Sequence, residues 1–282
     1  MDLRELFIVV VLYKSRLEES RAIKSLGDCI DGSANLMVFD NSPYKQYDNH
    51  NFKLGKFNIS YYSDEGNPGL SRAYNLALQL AEEARLPWLL LLDQDTAFTN
   101  EYVREVERLS HNELPGSVVG IIPHVISLQN HKIIAPTKPS LGGLSNAVNL
   151  PAGIVNQQIT SINSGTILRV SYMSSINGFC QKYTLDMLDH WYFRKIFQDE
   201  KSIYMLGSSI YQDLSVVGDF EANVSLLRYQ KMLEAEHNFI LEEGFLSLVV
   251  FKVRIFLRAL KQLRYKNNQY YKSTFKQFFK LV

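Results

Sequence analysis

Cysteine is almost absent from the chain: Cys29 and Cys180 are the only two in 282 residues. Two thiols build no disulfide framework, and no C-x-x-C or clustered Cys/His spacing offers a zinc site. Both read as inert thiols in a reducing cytoplasm. Long hydrophobic runs are missing too, since nothing approaches the ~20 residues needed to cross a bilayer. The early apolar stretch Leu6–Tyr13 follows acidic residues and precedes no small-residue cleavage site. It is expected to be a strand rather than a leader, in a chain kept in the cytoplasm. There is no internal repeat and no low-complexity linker. With 46% hydrophobic and 21% charged residues, disorder, collagen and coiled coil are excluded. Acid is the last absence. After Glu243 there is none, against nine bases, Lys252, Arg254, Arg258, Lys261, Arg264, Lys266, Lys272, Lys276 and Lys280. The whole chain carries +1, so residues 1–243 carry −8 (+1 minus 9). Such asymmetry predicts a body, 1–243, and a basic tail, 244–282, that meets an anionic surface.

What is present alternates between two periods. Phe7–Tyr13 is a continuous β-branched run, the mark of a strand buried on both faces. Leu17, Ala22, Ile23 and Leu26 recur at helical spacing over Ser15–Leu26. Leu36–Phe39 and Ile59–Tyr62 are short strands, closed by the turn clusters Asp40-Asn41-Ser42-Pro43 and Asn67-Pro68-Gly69. Leu70–Ala84 is a helix, and Pro87–Leu92 a strand ending at Asp93-Gln94-Asp95. Glu101–Ser110 is a helix capped by Thr99 or Asn100, and Val118–Ile122 a fifth strand. This order predicts an α/β fold, with a mostly parallel central sheet and helices on both faces. Right-handed crossovers then bring the strand C-termini to one edge, where such sheets bind ligands. Polar signals fall at those ends: Tyr13, Asp40, Asn67 with Gly69, and Asp93 with Asp95. Residues 127–162, rich in Asn, Gln, Ser, Gly and Pro, are expected to be a long loop with an irregular strand or two over that edge.

Three constellations carry chemistry. Asp93 and Asp95 lie two residues apart past a buried strand and so share one side. Such a pair holds a hard divalent cation together with substrate phosphates. In Asn67-Pro-Gly69-Leu-Ser-Arg72-Ala-Tyr-Asn75, Gly69 permits close backbone approach, and a helix N-terminus favours anions with Arg72 one turn in. Asp186 and Asp189 are three apart and share a face if helical. A carboxylate there, within reach of an acceptor hydroxyl, serves as general base, with His190 the other titratable group. Asp40 either accepts a hydrogen bond from a pyrimidine imide N–H or closes an Asx turn. His50, His111, His124, His131 and His237 show no metal-ligand spacing, and Trp88 and Trp191 read as packing residues.

Together these residues resemble the family 2 glycosyltransferases, and within them the bacterial rhamnosyltransferase-like enzymes of O-antigen and surface-polysaccharide assembly. The resemblance covers Phe7 to Phe239. It is carried by Asp40-Asn-Ser, Asn67-x-Gly69-x-Ser-Arg72-Ala-x-Asn75, Leu-Leu-Asp93-Gln94-Asp95, Asn163-Ser164-Gly165-Thr166 and Leu185-Asp186-x-x-Asp189. Gln212-Asp213-Leu214-Ser215, Arg228-Tyr229 and Glu236 resemble the distal part of the same group. The resemblance implies the nucleotide-binding α/β fold called GT-A. By it, Asp40 contacts the base, Gly69 and Arg72 lie by the nucleotide and diphosphate, Asp93 lies near the ribose, and Asp95 takes Mg²⁺ or Mn²⁺. Asp189 matches the catalytic Asp, with Asp186 the acid three before it. The chain departs from the pattern at Trp191, where an acid is common, and at Gln212, where His is common. The implied activity is an inverting transfer from a nucleotide sugar, dTDP-rhamnose, to a lipid-linked oligosaccharide. No nucleic-acid partner is expected.

Two other readings compete. Asp93-Gln94-Asp95-Thr96 also resembles the nucleophile motif of haloacid-dehalogenase-type phosphatases, with Gly218-Asp219 a lone downstream echo. A non-catalytic, membrane-associated nucleotide-sugar-binding protein is the other. The tail adds its own expectation. Leu246, Val249, Val250, Val253, Phe256, Leu257, Leu260 and Leu263 step by three and four along one helical face. Lys252, Arg258, Lys261 and Arg264 fall largely off that stripe. A basic amphipathic helix of this kind lies in a membrane interface, here the cytoplasmic face of an inner membrane, unless it docks on the body with its basic side in solvent.

Overall fold

The computed structural model of the chain describes residues 5–109, 114–213 and 220–280. Strand β1 (Leu6–Leu12) leads through a short 3-10 turn, Leu17–Glu19, into α1 (Arg21–Cys29). The helix expected from Ser15 starts only at Arg21, because Ser20 is the residue that caps it, its Oγ accepting the Ile23 N–H. Next come β2 (Ala34–Asp40), β3 (Asn51–Leu54), β4 (Phe57–Ser63), α2 (Leu70–Glu83), β5 (Trp88–Asp93), β6 (Thr96–Ala97) and α3 (Asn100–Leu109). Thr99 caps α3, its Oγ1 accepting the Tyr102 N–H at 3.2 Å. Ser110 and His111 lie outside the described residues. Strand β7 (Val118–Ser127) runs twice as far as its apolar core suggested. The segment expected to be mostly loop holds β8 (Ile133–Ala135), β9 (Thr137–Ser140), β10 (Leu144–Ala147) and β11 (Gly153–Val155). The chain continues with β12 (Ile167–Arg169), α4 (Val170–Ser175), α5 (Leu188–Gln198), β13 (Ser202–Gln212), α6 (Phe220–Asn223), α7 (Leu226–Leu241), α8 (Phe245–Gln262) and α9 (Gln269–Phe279). Leu214, Ser215, Gly218 and Asp219 lie outside the described residues.

Eleven strands form one sheet in the order β11-β13-β7-β12-β5-β1-β2-β4-β3, with β6 on β13 and β8 on β7. The long pairings β5–β1, β1–β2, β2–β4 and β7–β13 are parallel. Short β12 runs antiparallel between β5 and β7, and β3 and β11 run antiparallel at the two edges. Alternate residues of the buried strands serve opposite faces. Ile8, Val10, Leu36, Val38, Leu90 and Leu92 pack with Ala22, Ile23 and Leu26 of α1 and Tyr102, Val103 and Val106 of α3. The residues between them, Val9, Val11, Leu89 and Leu91, are buried as well, and α2 packs on β1 and β5. The fold is thus α/β, with helices covering a large, mostly parallel sheet.

The chain divides into two compact units, residues 1–137 with 147–213, and 138–146 with 214–282. The boundary expected at 243 is therefore corrected, because α7 belongs with α8 and α9. Arg258 forks onto both carboxylate oxygens of Glu236 on α7 at 2.8 and 3.0 Å. Gln262 Nε2 donates to Tyr229 Oη at 2.7 Å, and Tyr229 shares a hydrogen bond with Thr274 of α9 at 2.6 Å.

Candidate active site

The sheet unit brings the ends of β1, β2 and β5 to one edge, and β5 supplies the charge. Its leucines are buried on both faces, so the first side chain free to be polar is Asp93. The turn after it is held from three sides. Asp93 N–H donates to Ser164 Oγ at 3.3 Å, and Ser164 Oγ also bonds Thr96 Oγ1. Gly165 N–H reaches Leu91 O and Leu91 N–H reaches Thr166 O, so Asn163-Ser164-Gly165-Thr166 clamps the strand end. Gln94 joins β5 to β1: its Oε1 accepts Tyr13 N–H at 2.8 Å and its Nε2 donates to Tyr13 O at 3.4 Å. Tyr13 itself is 44% exposed, a ring presented at the sheet edge.

Gln212, the last residue of β13, bridges the two carboxylates. Its Nε2 donates to Asp93 Oδ2 at 3.2 Å and to Asp95 Oδ1 at 3.3 Å. β13 reaches this point through an irregularity: Met205 pairs with Ile122 but Ser209 with His124, so the strand carries two extra residues. Glu105 of α3 fills the gap in the ladder, accepting Gly207 N–H and Ser208 N–H at 2.8 Å each. Burial and the neighbouring Asp95 charge push the Asp93 carboxyl up to about 7, with the Gln212 hydrogen bond opposing and Asp189 adding to the rise. Asp95 is raised as well, first by burial, then by Asp213, against the pull of Arg21 and Gln212. Two crowded carboxylates, beside a buried Gln212 Oε1 that has no partner among the described residues, fit a hard divalent ion. Among the described residues no group of three His, Cys, Asp or Glu side chains is close enough to hold a metal alone. An ion held by this pair would need substrate oxygens and water as further ligands, the usual arrangement for Mg²⁺.

Asp189 lies in the first turn of α5, and its Oδ1 accepts its neighbour's N–H, that of His190, at 2.7 Å. Its charge raises the Asp93 carboxyl and the buried hydroxyls of Tyr74 and Tyr192, so it belongs to the same edge. Asp186 does not share its helical face. The helix starts at Leu188 because Met187 sits at φ 66°, in the left-handed region, leaving Asp186 in the preceding turn.

The start of α2 differs from expectation. Gly69 does permit a close backbone approach, but the approaching group is this chain's own Thr184 carbonyl. A Cβ on Gly69 would stand within van der Waals overlap of Thr184 O, and Gly69 has φ 91°. Thr184 O accepts the N–H groups of Leu70 at 2.6 Å and Ser71 at 3.3 Å. The amides expected to receive an anion are therefore capped from within. Arg72, one turn in, is exposed, and Asn67 is exposed at φ 48°. Asp40 takes the Asx-turn arrangement, Oδ1 accepting Ser42 N–H at 2.9 Å. Its Oδ2 accepts Tyr61 Oη–H at 2.7 Å and Gln46 Nε2–H at 2.8 Å, and the residue is fully buried. Asp93, Asp95 and Asp189 thus share one edge, but Ser164, Gln94 and Thr184, which hold the motifs, carried no chemical signal of their own. Gln212 was marked only by its departure from the family pattern.

No family model matches the chain, and no curated protein matches it in sequence. Solved structures do match. A crystal structure of S. aureus TarS 1–349 aligns with 97% of this chain and 70% of that one at TM-score 0.50 and 12% identity. The same protein in complex with UDP-GlcNAc aligns with 95% of this chain and 79% of that one at TM-score 0.54 and 16% identity. A crystal structure of GalNAc-T7 with UDP, GalNAc and Mn²⁺ aligns with 83% of this chain at TM-score 0.55 and 14% identity. There the chain spans only 48% of the other protein's length. At such identities the likeness is one of fold, and the fold of this chain is that of the GT-A glycosyltransferases.

Proposed function

We propose that the chain is a metal-dependent, inverting glycosyltransferase that uses a nucleotide-diphosphate sugar. The observation that carries the reading is the Asp93–Gln212–Asp95 bridge at the strand-end edge of a GT-A sheet. The resemblance to neighbours solved with UDP-GlcNAc, or with UDP, GalNAc and Mn²⁺, supports the donor class and the cation. Asp95 and Asp93, with Gln212 Oε1, would hold Mg²⁺ or Mn²⁺. When bound, the ion neutralises the leaving diphosphate. Tyr13 offers a ring to the base, while Asp40, through Tyr61 and Gln46, fixes the shape of the base slot. It meets the base itself only by exchanging one of those bonds. Arg72 adds charge for the diphosphate, and Asn67 and Gly69 set the course of the loop beside it. Asp189 Oδ2, the oxygen not engaged by His190 N–H, takes the proton of the acceptor hydroxyl. That hydroxyl oxygen forms the new bond to the anomeric carbon as the carbon–phosphate-oxygen bond breaks. Asp186, in the turn before, serves at most to orient the acceptor.

The finer reading, dTDP-rhamnose as donor and a lipid-linked saccharide as acceptor, rests on the sequence resemblance. The phosphatase reading fares worse: its motif follows a chain's opening strand, whereas β1 to β4 precede Asp93 here. The test is a donor panel with membrane lipid extract and Mn²⁺. Labelled lipid from dTDP-rhamnose alone supports the full reading, and another sugar corrects the donor. Asp189→Asn should lower turnover by roughly 10²–10⁴ with donor affinity nearly unchanged. Transfer that survives EDTA would remove the metal from the mechanism, and binding of donor without transfer would favour a non-catalytic role.

A further inference from the structure

Helix α8 buries the wrong face for a simple packed helix. Ser247, Leu248, Phe251, Ile255, Ala259 and Gln262 are buried in the helical unit. The side opposite carries Leu246, Val249, Val253, Leu257, Leu260 and Leu263, all between 43% and 62% exposed. At 100° per residue these form a stripe roughly 120° wide along a helix of ~27 Å. Phe256 extends it sideways through ring contacts with Phe275 and Phe278 of α9, where Phe275 and Phe279 are exposed too. None of the helices is long and apolar enough to cross a membrane among the described residues.

The charges around the stripe are of two kinds. Three of the basic residues counted for the tail serve the fold. Lys252 Nζ donates to the last carbonyls of α9, Gln277, Phe278 and Lys280, at 2.7–3.0 Å. Arg254 donates to Gly143 O, and Arg258 forks onto Glu236. Of the other six, Lys280 stands 3.9 Å from Glu234 of α7, while Lys261, Arg264, Lys266, Lys272 and Lys276 are exposed, and no acid lies between Gly244 and Lys280. We infer that this face lies flat on an anionic lipid bilayer, the stripe and the α9 phenylalanines among the acyl chains and the five exposed cations at the headgroups. Such a face matches an interfacial helix in shape and sign. A second copy of the chain fits it less well. Pairing the face with itself would set its five exposed cations against the same five like charges of the second copy. This inference is independent of the catalytic reading.

The test is flotation of the full chain with vesicles of phosphatidylcholine, with and without phosphatidylglycerol. The full chain should float with the anionic vesicles. Val253→Ser with Leu257→Ser and Leu260→Ser, all at exposed positions, should weaken this by roughly a hundredfold or more while the melting curve stays that of the parent. Lys261→Glu with Arg264→Glu should weaken it by roughly tenfold or more. The inference is overturned if the full chain ignores anionic vesicles, or if the serine variant and the charge-reversed variant both bind as the parent does. It is equally overturned if sedimentation without lipid reveals a dimer that the serine variant dissolves, which would give the face to a second copy.

Discussion

Asp93→Asn is the most informative single change in the metal-free protein. The Asp93 carboxyl is held at about 7 against an ordinary value of 3.8. A group raised in the folded state favours folding most when protonated, and that contribution is lost as pH rises through the folded value. Without a cation, stability should therefore fall between pH ~4 and ~7. At ~1.4 kcal/mol per tenfold in proton affinity the full effect is ~4 kcal/mol, and solvent at this half-buried edge reduces it to ~2 kcal/mol. Asparagine keeps an acceptor for Gln212 Nε2 but cannot ionise. The variant should match the parent near pH 4 and exceed it by ~2 kcal/mol above pH 7, or about 4–8 °C in melting temperature. His124 and His237, lowered by burial, make stability rise with pH instead. They are common to both proteins and cancel in the difference. Urea denaturation with EDTA across this range is the assay. A difference that does not grow with pH, or a less stable variant at pH 8, would refute the electrostatic account of the site.

Further expectations are local. Gly69→Ala should cost well over ~1 kcal/mol, because a methyl meets the Thr184 carbonyl. Gly153→Ala, at φ 134° with nothing near, should cost less, and denaturant midpoints compare the two. Glu105→Ala strips acceptors from Gly207 and Ser208 N–H and should destabilise by ~2–3 kcal/mol in the same assay. Gln212→Leu removes the Oε1 proposed as a ligand and should weaken Mn²⁺ binding, read by the electron paramagnetic resonance of the free ion. Glu236→Gln leaves the Arg258 fork half-matched and should lower stability by ~3 kcal/mol, seen as an earlier thermal transition.

Much of the fold was legible because it is written locally. Five strand runs and three helices form where they were expected, although α1 begins at Arg21 instead of Ser15 and β7 runs on to Ser127 instead of stopping at Ile122. Each depends only on a short stretch of pattern and a turn. The short strands of the 127–162 region were harder, since β8 to β11 hold only three or four residues each: β8 takes its register from β7 and β11 from β13, while β9 and β10 pair with each other. β12 escaped for the same reason: three residues enter the sheet antiparallel, held by a turn read only as part of a family motif. On α8 the apolar stripe was legible, but its partner was not. Gln262 faces inward because Tyr229 and Thr274 provide buried hydrogen bonds, which no periodicity reveals.

The site divides in the same way. Asp93 and Asp95 announce themselves by ending an apolar run. What fixes them comes from Ser164 and Gln212, 71 and 119 residues away. Distance in sequence also hid the correction at α2. An Asn-Pro-Gly turn before a helix suggests an open anion site, and only the fold shows that Thr184 has occupied it. That carbonyl stands two residues before Asp186 and five before Asp189. The same contact that closes the helix start therefore ties the segment bearing Asp186 and Asp189 to the Asn67–Gly69 loop. Gly69 meets the Thr184 carbonyl in this structure, and its missing side chain is what allows the two motifs to meet.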